Sequence, residues 1–141
     1  MQSTDKLADL ISRKHHVLVQ LRDFGRRQAD LVASGDIAAL LTLLGTKQQL
    51  ITGLQSLEQQ LTPYYAEDPD RRMWPSPQAR AKCAQLAAEC NALLEEIVGL
   101  EKLGAEKMTV RRNEVAEQLQ QVHAATHVRS AYEANARRHA S

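Results

Sequence analysis

Between Pro77 and Arg138 the chain runs for about 62 residues with no proline beyond the first, and Ala, Leu, Gln, Glu and Arg, all good helix formers, dominate it. The stretch reads as one long helix. Ser76 is placed to cap the free backbone N–H groups, and Pro77 takes the first helical position, where its missing N–H costs nothing. At about 1.5 Å per residue such a helix would extend roughly 93 Å, more than twice the length of any other segment here, so half of it is expected to lack an intramolecular neighbour.

The rest of the chain must supply what that helix packs against. Aromatic residues make up only 4% and leucine is abundant, which favours aliphatic helical layers over sheets built from β-branched and aromatic side chains. The expected fold is all-α: an antiparallel three-helix bundle or coiled coil, with a long third helix that partly protrudes or folds back. A net charge of +1 with 25% charged residues gives no concentrated positive field for nucleic acid. Residues 1–12 alternate polar and apolar side chains, with neither a secretory leader nor a membrane span, so a cytoplasmic protein without membrane insertion is expected.

A first helix is expected over residues 5–33. Ser3, Thr4 and Asp5 offer caps, and Leu7, Leu10, Val17, Leu21, Phe24 and Leu31 recur at three- and four-residue steps broken by Lys14 and Gln28. Ser34-Gly35-Asp36 then ends one helix and starts the next, Gly35 in the left-handed C-terminal position and Asp36 as the new cap. So short a turn forces a helical hairpin. In the second helix, residues 37–61, Leu40, Leu43, Leu50, Leu54, Leu57 and Leu61 keep the spacing with only Lys47 out of pattern, while Ile37, Leu41, Leu44 and Ile51 widen the apolar face.

Thr62-Pro63 is expected to stop that helix and open a loop over residues 62–76. Tyr64, Tyr65 and Trp74, three of the five aromatic residues, fall in this loop, where they either plug the bundle's open end or form a binding surface. The third helix spans residues 77–138. Its first part carries the core positions Cys83, Leu86, Cys90, Leu93, Ile97 and Leu100, with Glu89, Glu95, Glu96, Glu101 and Glu106 read as a solvated face. Gly99 and Gly104 make a bend near residues 99–104 plausible. Beyond them the apolar pattern thins to Met108, Val115, Leu119, Val122 and then Tyr132, a narrow stripe suited to a groove on a partner.

Catalytic motifs are missing: there is no glycine-rich phosphate loop, HExxH, CxxC or nucleophile elbow. His15 and His16 point about 100° apart on one helix. His123 and His127 have the i, i+4 spacing of a metal pair but no third ligand at a matching step. Cys83 and Cys90 are about 10 Å apart along one helix, too far for a disulfide, and read as small core residues. Arg129, Arg137, Arg138 and His139 make the last segment basic, as a frayed solvated tail would be. No enzyme, cofactor or metal is expected.

The run Leu31-Val32-Ala33-Ser34-Gly35-Asp36-Ile37-Ala38-Ala39-Leu40-Leu41, followed by Lys47-Gln48-Gln49-Leu50-Ile51 and Leu57-Glu58, together with the long amphipathic third helix, resembles the FlgN family of flagellar export chaperones over most of the chain. The resemblance implies a cytoplasmic chaperone that keeps FlgK-like and FlgL-like hook-associated proteins export-competent, with Met108, Val115, Leu119 and Val122 as the client stripe. Tyr132 looks like the tyrosine that helps some members dock at the flagellar export gate. The competing expectation is a coiled-coil scaffold in which the same stripe pairs with itself as a homo-oligomer, although Arg111 and Arg112 interrupt it where a self-pairing seam would prefer leucine.

Overall fold

The computed structural model describes the backbone of residues 3–140 and the side chains of 3–125 and 128–134. It is an all-α helical bundle: α1 is Thr4–Ser34, α2 is Ile37–Tyr65 and α3 is Pro77–Ala140, with a single 3-10 turn at Pro69–Arg71 and no strand among the described residues. The chain divides into two units, Met1–Lys102 and Leu103–Ser141.

Local signals set most of the boundaries in the first unit. Gly35 adopts φ 75°, the left-handed conformation that spares glycine a Cβ clash, and its N–H closes α1 by donating to Leu31 O at 3.0 Å. Asp36 starts α2 by accepting from Ala39 N, and Ser76 starts α3 by accepting from Ala79 N, each at 3.1 Å. Ser3 stands at the N-cap of α1 without a side-chain capping bond. Thr4, one residue on, donates its Oγ1 proton to Met73 O at 2.9 Å and so ties the start of α1 to the segment before α3.

Thr62-Pro63 does not end α2, which continues to Tyr65 with Pro63 inside it. A proline removes one N–H and crowds the carbonyl four residues back, and here the turn around it is held by tertiary contacts that offset this. Leu61 and Tyr64 are fully buried, and Arg72 Nη2 donates to Tyr64 O at 2.5 Å. Tyr64 is therefore a helical core residue rather than part of a loop. Trp74 packs half-buried against the same core, and Tyr65 remains exposed.

Two apolar clusters fill the bundle. Leu7, Leu10, Ile11, Leu57, Leu61, Tyr64 and Cys83 make one. Leu18, Leu21, Cys90 and Leu93 make the other, flanked by Leu50, Leu54, Leu94 and Ile97. Each fully buried leucine contributes about 1.5–3 kcal/mol relative to exposure. Gly25 of α1 faces Leu100 of α3, and a Cβ there would stand 3.4 Å from Leu100 Cδ1.

Polar pairs record the helix directions. Along α1, Lys14 meets Glu58 and Gln28 meets Lys47, so α2 descends as α1 ascends. His15 meets Glu89 and Arg26 meets Glu96, so α3 ascends alongside α1. Glu89 and Glu96, on the face read as solvated, thus also contact His15 and Arg26 on α1, and Glu101 pairs with Lys47 on α2. Ile37, Leu41 and Leu44 do not widen the core either: all three are exposed.

In the second unit α3 is helical from Leu103 to Ala140, passing Gly104 without interruption. Gly104 is half-buried, and every other described side chain from Leu103 to Ala134 is exposed.

Candidate docking surface

An isolated helix has its backbone hydrogen bonds made internally, so what it offers a partner is decided by which side chains share a face. Met108, Val115, Leu119 and Val122 are 53%, 46%, 64% and 64% exposed. At about 100° per residue the four fall within an arc of about 60°, a single apolar line. Tyr132, 77% exposed, does not extend that line. It lies ten residues beyond Val122 and so about 80° further round the helix. It shares a second line with exposed Leu103, Val110 and Val128, which the sequence reading did not single out. The seven-residue step from Leu103 to Val110 was the available signal.

Charges are segregated about the first line. Arg111 and Arg112 fall about 50° to either side of its middle, whereas Glu106, Glu114 and Glu117 all lie about 110° or more away. All five are exposed. The surface can desolvate aliphatic side chains and meet anionic groups at its borders, but it presents no nucleophile or acid–base pair.

A second set of polar residues is internal. Lys14 and Lys47, two of the three breaks in the apolar pattern, are buried. Lys14 Nζ is 2.5 Å from Glu58 Oε1 and 3.5 Å from the Tyr65 hydroxyl, which lies 3.3 Å from Glu58 Oε2. Burial by itself lowers the Lys14 pKa, but the hydrogen bond and charge of Glu58, with Tyr65 beside it, outweigh this and hold it above its ordinary value. Lys47 Nζ bonds Gln28 Oε1 at 3.0 Å and pairs with Glu101. Both clusters tie the helices in one register, the best-attested use of buried polar groups.

The remaining candidates are placed as follows. His15 Nε2 contacts Glu89 Oε2 at 2.9 Å, His123 is exposed, and the side chain of His127 lies outside the described residues, as do those of Arg137, Arg138 and His139. No group of three or more His, Cys, Asp or Glu side chains could hold a metal among the described residues. Cys83 and Cys90 are free and buried, and burial pushes both thiols up, away from the reactive thiolate. A cavity of about 290 Å³ at one end of the bundle is lined by Leu7, Ile11, Tyr65, Trp74, Arg72 and Arg80 among others. Its two guanidiniums are turned to Glu67 and Asp70, each at 3.6 Å. α2 is long and apolar enough to cross a membrane by length and composition, with a mean hydropathy of 1.2. It also places Lys47, Leu57 and Leu61 in the bundle core. No family model, curated protein or solved structure matches the chain.

Proposed function

We propose that this chain is a non-catalytic cytoplasmic secretion chaperone of the FlgN type, which holds FlgK-like and FlgL-like hook-associated proteins through the second unit of α3 and presents them to the flagellar export gate. The observation that carries the reading is the exposed apolar line Met108–Val115–Leu119–Val122, bordered on its two sides by Arg111 and Arg112. Full burial of Val115, Leu119 and Val122 against a client helix is worth about 1.5–3 kcal/mol each, before the entropy of association is subtracted. The resemblance of the Leu31–Leu41 hairpin and the Lys47–Ile51 segment to the family supports the same reading. Tyr132 is assigned to the gate, and its position about 80° from Val122 leaves client and gate on different sides of one helix.

The competing reading is a self-associating scaffold. The seven-residue repeat Met108–Val115–Val122 is a coiled-coil spacing and favours it. A pull-down with purified FlgK-like and FlgL-like proteins separates the two. The chaperone reading requires capture by the full chain and loss of capture when Val115, Leu119 and Val122 are together replaced by serine. Absence of capture, with the full chain a stable oligomer and the serine variant a monomer, would establish the scaffold instead.

A further inference from the structure

We infer that the occupant of the Met108–Val122 line is an amphipathic helix whose apolar seam is bordered by carboxylates. This rests on the docking role proposed above and adds the partner's chemistry, argued from the charges around the line. Between Leu103 and Arg129, the nearest charged neighbours of the apolar line are guanidiniums: Arg111 on one side and Arg112 on the other, with Arg129 beyond Val122 on the Arg111 side. Glu106, Glu114 and Glu117 are turned to the far side, about 110° or more from the line's middle. A partner helix laid on Met108, Val115, Leu119 and Val122 therefore meets cations at both of its own borders, and guanidinium pairs best with carboxylate, in a two-point geometry.

A second copy of the chain does not provide this. Parallel self-pairing sets Arg111 and Arg112 against their own counterparts. Antiparallel self-pairing centred on Val115 sets them level with Gln118 and Leu119 rather than with a carboxylate. An anionic lipid surface would also accept arginines, but helices that bind membranes carry Trp, Phe or Leu on a broad apolar face and a basic polar face. Here the line holds two valines, one leucine and one methionine, and the opposite face carries three glutamates.

The test uses two fluorescent helical peptides with the same Leu/Val heptad seam, one bordered by Glu and the other by Lys, titrated with the full-length chain at low and high salt. The Glu-bordered peptide should bind about tenfold tighter or better, with the preference fading as salt screens it. The variant Arg111→Glu/Arg112→Glu should invert the preference with an unchanged melting temperature, and Val115→Ser/Leu119→Ser/Val122→Ser should release both peptides. Equal binding of the two peptides, lost in the serine variant, would refute the carboxylate border while leaving the docking role intact. No binding of either peptide would remove both. Tighter binding to phosphatidylcholine vesicles containing phosphatidylglycerol than to the Glu-bordered peptide would overturn the inference in favour of a membrane.

Discussion

Replacing Glu58 by alanine strips Lys14 of its carboxylate while leaving the ammonium inside the bundle, where its side chain is 9% exposed. Breaking a buried ion pair from one side costs about 3–5 kcal/mol. The Glu58 side chain is 40% exposed, so water can take part of its place, and the expected cost falls to about 2 kcal/mol. For a helical unit of this size that corresponds to a fall in melting temperature of roughly 8 °C or more. Lys14→Met is the informative counterpart: it removes the charge, keeps an unbranched apolar stem and leaves Glu58 access to water, so its cost should stay within about 1 kcal/mol. The double variant Lys14→Met/Glu58→Ala should then be more stable than Glu58→Ala alone. Thermal and urea unfolding followed by far-ultraviolet circular dichroism reads all three. If Lys14→Met is as damaging as Glu58→Ala, or if the two losses simply add, the buried charge is not what Glu58 compensates and the register role of this cluster falls with it.

The other expectations are quickly checked. The resolved pKa shifts of Lys14, Tyr65, Cys83 and Cys90 are all upward, so the folded chain holds these protons more tightly than the unfolded one. Their stabilisation is complete below the ordinary values of 9.0 for the thiols, 10.0 for the phenol and 10.5 for the amine, and it is lost as pH rises through and beyond them. Melting temperature should decline above about pH 9, and Lys14→Met should flatten the most alkaline part of that decline; a profile that rises there contradicts the assignment. Leu61→Ala empties a site with 0% exposure and should cost about 2–5 kcal/mol by urea titration, whereas a loss under 1 kcal/mol would mean that the site collapses or that Leu61 is not core. A chain ending at Leu103 retains both apolar clusters and the Lys47–Glu101 pair. It should melt within a few degrees of the full chain while failing to capture a client, and capture by the truncated chain would contradict the placement of the docking surface.

What could be read from the sequence was whatever is decided locally. The Gly35-Asp36 turn and the Ser76-Pro77 start are set by backbone groups within four residues, and both stand where the residue types put them. Pro63 could not be read this way, because the turn that contains it is held by the burial of Tyr64 and by Arg72, eight residues further on. Lys14, Gln28 and Lys47 read as interruptions for a related reason: their partners Glu58 and Glu101 lie on other helices, and a pattern followed along one helix at a time cannot show a pair between two. The contacts of Glu89 and Glu96 with His15 and Arg26 are hidden on the same ground. The apolar line of the second unit was legible from its spacing. The displacement of Tyr132 from it follows from the same spacing, because ten residues past Val122 the helical angle matters more than adjacency in the chain.

Amide hydrogen exchange on the full chain, alone and saturated with a purified FlgK-like protein, tests the docking account most directly. The account predicts fast exchange over residues 105–125 in the free chain, where no described side chain is covered, and slow exchange there once the client is bound, with residues 7–64 unchanged. Protection that appears on α1 or α2 instead, with residues 105–125 exchanging as fast as before, would contradict it.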